Sequence, residues 1–194
     1  MPQPGLLVRL LWLAFILCWL VLALFNKKAS RGTPAWSGLR LRLIIIICVI
    51  ILVRFHRHAV VGFFAAVNRS WLLHPDIALQ WLGVVLCLAG FGFAVWARVH
   101  IGRNWGMPMS LREGHELVTS GPYACVRHPI YSGLMLAMIG SAFTAGLLWL
   151  LGLVVYFIYF IFAARSEEKT MLTQFPDAYP AYRRRTKMLI PFVF

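Results

Sequence analysis

Acidic residues are nearly missing from this chain: six Asp and Glu stand against 19 Lys and Arg, and charged residues of all kinds make up only 13% of 194 positions. A soluble domain carries about 25% charged residues. That shortfall excludes an ordinary water-soluble fold, and the 61% hydrophobic share, with a mean hydropathy of +0.77, marks an integral membrane protein. Cysteine is also scarce. Cys18, Cys48, Cys87 and Cys125 include no CxxC spacing and three of them lie in apolar runs, so they read as small core residues rather than disulfides or metal ligands. His56 and His58 have no nearby carboxylate or thiolate to complete a metal site, and no metal is expected. There is no Gly-rich dinucleotide fingerprint, internal repeat or low-complexity tract. The net charge of +13 would suggest nucleic acid in a soluble chain. Here it fits basic loops against anionic lipid, so membrane lipids and no nucleic acid are the expected partners.

What the chain does have is apolar runs. Residues 6–25 make the first, about 20 long and sufficient to cross a bilayer. Its leading part carries only Arg9, and no small-residue cleavage site precedes Asn26-Lys27-Lys28, so a retained span is expected rather than a signal peptide. A basic loop over 26–42 follows. The second run starts at Leu43 and meets Arg54 after 11 residues; it crosses if Arg40, Arg42 and Arg54 snorkel to the interfaces. Residues 77–97 form a third span, with Gly83, Gly90 and Gly92 available for close helix packing. Residues 130–163 are uncharged for 34 positions, too long for one crossing, and Thr144-Ala145-Gly146 supplies a turn for a helical hairpin. Arg165, Glu167 and Glu168 then open a polar C-terminal helix that Pro176-Asp177 interrupts. The expectation is an all-α, polytopic membrane protein of about five transmembrane helices. Residues 1–97 would supply N-terminal spans, and residues 98–194 the hairpin, the C-terminal helix and a cytoplasmic pocket.

Between the spans lies His115 to Gly133, HELVTSGPYACVRHPIYSG. It mixes apolar, aromatic and ionisable residues without helical periodicity. Gly121-Pro122 breaks an incoming helix and Pro129 suits the first turn of a new one. Polar groups clustered beside a span point to function in a chain with few of them, although an ordinary polar loop would look similar. If the first span runs outside to inside, loops 26–42 and 98–127 and the segment 165–187 gather fifteen basic residues on one side, against Arg9, Arg54, Arg57 and Arg69 on the other. Positive loops stay in the cytoplasm, so this stretch and Glu167-Glu168 are expected on the cytoplasmic face, in a bacterial cytoplasmic membrane.

Leu117-Val118-Thr119-Ser120-Gly121-Pro122-Tyr123, then Arg127-His128-Pro129-Ile130-Tyr131-Ser132-Gly133, followed by Glu167-Glu168, Phe175, Tyr179, Tyr182 and Leu189-Ile190-Pro191, resemble the isoprenylcysteine carboxyl methyltransferase family over about residues 98–194. The resemblance implies S-adenosylmethionine (SAM) as methyl donor and S-adenosylhomocysteine (SAH) as product. By position it implies that His115, Glu116, Leu117, Val118, Tyr123, Arg127, His128, Pro129, Ile130 and Tyr131 line the cofactor pocket and that Glu167 closes it. Backbone groups near Leu117 and Val118 suit adenine, Arg127 or His128 the carboxylate head, and Glu167 the ammonium. His128 as a helix cap, and Glu167-Glu168 as a solvated helix face, remain the structural alternatives; Tyr179 and Tyr182 read as packing anchors.

Relatives often place a basic residue four positions before the first Glu of the pair; here that position is Ala163, and Arg165 is the nearest cation. Arg165 is therefore the expected anchor for an acceptor carboxylate. Glu168 or His115 is the expected base if the acceptor is an amine or phenol. The implied reaction is methyl transfer to a lipophilic or prenylated acceptor from the bilayer, a carboxylate first. The alternatives are amine N-methylation of a phospholipid, an NADPH-dependent sterol-type reduction, and non-enzymatic lipid binding.

Overall fold

The computed structural model describes residues 3–23, 62, 76–102, 105, 116–146 and 148–193. His115, the second apolar run, the 26–42 loop, Cys48 and the His56–His58 pair lie outside them. The regular elements among the described residues are helices: α1 (Pro4–Ala23), α2 (Ile77–Ile101), a 3-10 turn over Gly121–Ala124, α3 (Pro129–Ala145), α4 (Leu148–Gln174) and α5 (Ala178–Arg185). One isolated parallel bridge joins Val126 to Lys187. α1, α2 and α4 are long and apolar enough to cross a membrane. α3, with 17 residues, is about 26 Å long at 1.5 Å per residue, the short end of what spans.

The hairpin turns where its small residues allow. α3 stops at Ala145, and Gly146 (φ 100°) donates its N–H to Ala142 O before α4 begins at Leu148. That dihedral is one side chains rarely adopt. α4 does not end near 163, as expected from the first charged residue. It runs on through Arg165, Glu167 and Glu168 to Gln174. Nothing between Gly152 and Pro176 breaks a helix, and Ala163 and Ala164 are both good helix formers and buried. The paired glutamates thus ride on the last turns of a membrane span. α5 is the separate short helix that follows Pro176-Asp177.

α2 and α3 form the tightest pair. A Cβ on Gly83 would fall 2.5 Å from Gly140 O, and one on Gly90 2.5 Å from Gly133 O; the reverse substitutions meet the partner carbonyls at the same distance. In lipid there is little hydrophobic force between helices, so close backbone approach through small residues carries the association. Gly92, expected in the same role, faces open space. α1 leans on this pair through Phe15, stacked on Phe91 with ring centroids 4.6 Å apart, and through Trp12 Nε1, which donates to Ser141 Oγ at 2.9 Å. Cys87, buried in the same layer, donates from Sγ to Ala137 O at 3.1 Å.

These contacts fix directions. Gly83 opposite Gly140 and Gly90 opposite Gly133 make α2 and α3 antiparallel, and α4 returns beside α3. The C-terminal ends of α1, α2 and α4 therefore gather at one end with the start of α3. Arg98, 3% exposed, closes that end: its guanidinium donates to Leu22 O at 2.7 Å and Gly102 O at 2.9 Å, and packs 4.6 Å from the Trp105 ring. A cation there satisfies carbonyls that both helix ends leave open.

Candidate active site

At the gathered end, the segment 120–128 is held in place from two sides. Gly121 (φ 58°) lies against His100, where a Cβ would come within 2.7 Å of the imidazole. Ser120 Oγ and His100 Nε2 are 2.9 Å apart. From the other side, residues 186–189 run along it as a strap. Arg127 N donates to Lys187 O at 2.8 Å, His128 N to Met188 O at 3.1 Å, and Ser132 Oγ to Leu189 O at 2.5 Å. The Tyr182 hydroxyl adds a 2.7 Å bond to Tyr123 O. Burial pushes that phenol up to about 12, with a smaller push from the negative Glu168, although its bond to Thr186 and the charge of Arg127 pull the other way, so it stays a donor. Leu189, 1% exposed, seats the strap among Met135, Phe160 and Ala164.

α4 delivers the two glutamates into different company. Glu168 is buried and met by three bases. Arg127 Nε donates to its Oε1 at 2.6 Å, Arg183 Nε is 3.5 Å from Oε2, and His128 Nε2 is 3.5 Å from Oε1. Arg127 also donates to the Thr186 carbonyl and, at 3.3 Å, to Arg183 O. Glu167, one turn position away, takes a 2.6 Å hydrogen bond from the Tyr131 hydroxyl, and its Oε2 is 3.3 Å from His128 Nδ1. The His128 ring stacks on Tyr131 (5.6 Å, 7°), which stacks on Phe160 (4.5 Å, 6°). Burial works against a charged His128, but hydrogen bonds and charge from Glu167 and Glu168 outweigh it and push its pKa upward.

Beside this cluster lies a cavity of about 410 Å³. Glu116, Leu117, Val118, Tyr123, Arg127, His128, Pro129, Ile130, Tyr131 and Glu167 all line it, so the described residues singled out for a cofactor pocket come together; His115 lies outside the description. Glu168 backs the wall without lining it. Arg165 is exposed on α4 and away from the cavity. Sequence reasoning did not find the opposite wall: Phe15, Ile16, Trp19 and Leu20 of α1, with Ile101, Trp105 and Leu134, and Tyr159, Thr170 and Met171 of α4. Tyr179 and Tyr182 line it too and are buried, which joins packing to pocket wall. Ile16, Leu20 and Tyr159 are at the same time exposed on the apolar flank of the helices. One end of the cavity is thus polar and ionisable, and the other is apolar and reaches the lateral surface.

Helices long enough to span a membrane, with a polar-ended cavity at one end of the bundle, define a polytopic membrane protein with a candidate ligand site at that end. Among known proteins, the phospholipid methyltransferase family model matches residues 78–178. The chain belongs to that family. It is 38% identical over 137 residues to methanethiol S-methyltransferase 2 of Bradyrhizobium diazoefficiens (64% of this chain, 48% of the relative). It is 35% identical over 81 residues to the protein-S-isoprenylcysteine O-methyltransferase of Schizosaccharomyces pombe (41% and 34%). A cobalt-zinc-cadmium resistance protein of Cupriavidus metallidurans is 31% identical over 126 residues (64% and 53%). The chain spans about half the length of such curated relatives. In fold it resembles the eukaryotic intramembrane Ras methyltransferase, isoprenylcysteine carboxyl methyltransferase, with a TM-score of 0.56 at 24% identity over 71% of this chain and 53% of that one. The expected all-α polytopic architecture therefore holds.

Proposed function

We propose that the protein is a SAM-dependent methyltransferase that modifies a lipophilic acceptor arriving from the bilayer. The observation that supports it is the two-ended cavity: Glu167, His128 and Arg127 at one end, and an α1 wall continuous with the lipid-facing surface at the other. A volume of about 410 Å³ lies within the roughly 300–1,000 Å³ of small-molecule sites. The donor set suits SAM. Glu167 can take an ammonium, Arg127 and His128 a carboxylate, and His128 Nε2 is buried 3.5 Å from Glu168 with its hydrogen-bonding capacity unmet. Leu117, Val118, Tyr123 and Trp105 offer apolar and aromatic surface for the adenine. When bound, SAM supplies an electrophilic methyl on a positively charged sulfonium, a good leaving group whose charge favours an anionic acceptor over a protonated amine.

The chain itself supplies position and dryness. Tyr131 holds one Glu167 oxygen and His128 approaches the other, which fixes the carboxylate. Glu168 fixes Arg127 and, with it, the loop and strap. It is too committed to serve as a general base, so we assign it to positioning. The α1 aromatics exclude water, and alignment rather than acid–base chemistry carries the rate. A lipophilic carboxylate is the acceptor this arrangement favours, since it needs no base. The cations among the described residues, Arg98, Arg127, Arg165, Lys169, Arg183, Arg184, Arg185 and Lys187, fall at the site end, with Arg9 towards the other, which supports a site facing the cytoplasm.

Binding calorimetry with SAH and with NADPH on the detergent-purified chain tests the reading. SAH should bind, and Glu167→Ala or His128→Ala should weaken it by about 1.5–3 kcal/mol, the scale of hydrogen bonds to charged groups. Binding of NADPH and not SAH would replace the methyltransferase by a reductase; binding of neither would leave a lipid-binding protein.

A further inference from the structure

Outside the cofactor cavity, a second and open cleft of about 310 Å³ lies on the outer face of the strap, lined by Arg127, Arg183, Arg184, Arg185 and Lys187 with no acidic residue in its wall. Arg127 and Arg183 are engaged by Glu168. Arg184, Arg185 and Lys187 are exposed and make no ion pair among the described residues. The C-terminal turn of α5 accounts for one cation through its dipole, but not for a cleft walled by five. Immediately beyond it the chain presents Ile190, Phe192 and Val193 outward, Phe192 at 95% exposure. Apart from Arg127, the residues of both features sit past Gln174, at the end where α4 leaves its membrane-spanning stretch.

From this pairing we propose that residues 183–193 are a docking surface for anionic lipid headgroups. The cleft takes the phosphate, and Ile190, Phe192 and Val193 enter the headgroup–acyl boundary. Charge complementarity and apolar side chains in one short segment are what an interfacial anchor requires. The same segment carries the carbonyls of Lys187, Met188 and Leu189 that hold residues 127, 128 and 132. Lipid bound on the outer face therefore steadies the inner face of the strap against the loop that walls the cavity. This surface is independent of the methyl-transfer reading, because its occupancy is measured without cofactor.

The test titrates the detergent-purified full chain with dioctanoyl phosphatidylglycerol and with dioctanoyl phosphatidylcholine, with inorganic phosphate as a third ligand. The glycerol lipid should bind, in a salt-sensitive manner, and the choline lipid should not. Arg184→Gln with Arg185→Gln should weaken binding about thirtyfold, from roughly 1 kcal/mol for each basic residue. Phe192→Ser, at an exposed position that folding does not need, should weaken it as well. In hydrogen exchange, phosphatidylglycerol should slow the amides of Arg127 and His128 in the wild type but not in the double variant. Equal lipid affinity in wild type and double variant overturns the proposal. So does phosphate that binds as tightly as the lipid, which would make the cleft a site for a free anion.

Discussion

Arg127 and Glu168 meet at 2.6 Å with their side chains 8% and 5% exposed, 41 residues apart in sequence. The pair joins the loop before α3 to the last turns of α4, and Arg183 brings α5 into the same contact. Removing Glu168 leaves Arg127 charged and buried without its carboxylate. Glu168→Ala should destabilise the purified protein by about 3–5 kcal/mol, the usual result of breaking a buried pair from one side. Thermal unfolding in detergent measures it. An unchanged midpoint would mean that the strap and loop hold together without the pair.

His128 gives the structure a pH dependence of definite sign. Its folded pKa is raised, so the folded protein holds the proton more tightly than the unfolded chain. The stabilisation is complete below the unfolded value of about 6.5 and disappears as pH climbs through the raised one. Glu167 and Glu168 face the ring as anions, with Arg127 and Arg183 beyond Glu168. The difference in melting temperature between wild type and His128→Gln should therefore shrink as pH rises through that window. A difference that grows with pH would show a neutral His128.

Gly90 and Gly92 are two residues apart and should behave oppositely. A methyl on Gly90 meets Gly133 O at 2.5 Å and Ala137 N at 2.6 Å, both backbone atoms, whereas a methyl on Gly92 meets nothing. Gly90→Ala should cost about 1–3 kcal/mol as overpacking. Gly92→Ala should be neutral or slightly favourable, since alanine is the better helix former. Equal melting temperatures for the two variants would contradict the close α2–α3 contact.

Orientation can be read from a native residue. Cys125 is exposed in the loop next to the site. With Cys18, Cys48 and Cys87 changed to serine, Cys125 should resist a membrane-impermeant thiol reagent in intact cells and react in inside-out vesicles. Labelling of intact cells would turn the site to the other face.

How much of this was legible depends on what each feature leaves in the sequence. Gly146 and the Thr144-Ala145-Gly146 turn stand out in an apolar background, and so do Arg127, His128, Glu167 and the prolines around them. The same scarcity of polar residues that makes a membrane protein exposes its polar site. The α1 wall was not legible. Phe15, Ile16, Trp19 and Leu20 sit in a run that is apolar on every side, so no face is distinguished. The strap was missed because its hydrogen bonds come from backbone carbonyls at residues 186–189, which no residue type announces. The length of α4 is not legible from charge, because helix formation depends on the absence of Gly and Pro between 152 and 176 and not on where the first charged residue falls. Gly133 shows the reverse: it is part of the recognisable RHPIYSG segment, yet its structural work is against Gly90 in the α2–α3 contact.

The acceptor is decided by what happens at Arg165 and by the bond the methyl group forms. Arg165 was the expected carboxylate anchor, but its side chain is exposed and outside the cavity wall. Arg165→Ala should therefore leave SAH affinity and methyl transfer within about twofold of wild type, the ±0.5 kcal/mol range of surface substitutions. Loss of most kcat/KM for the acceptor, with SAH binding intact, would restore it as an anchor. Labelled SAM incubated with total membrane lipid and the purified protein, followed by mild base, identifies the bond. A methyl ester releases volatile methanol, whereas N-methyl and S-methyl products keep the label. Release of most of the label is the expected result, because a carboxylate is anionic at neutral pH and takes a methyl group without a base. Retained label would transfer the assignment to an amine or a thiol, and Arg165→Ala would then distinguish nothing about the acceptor's charge.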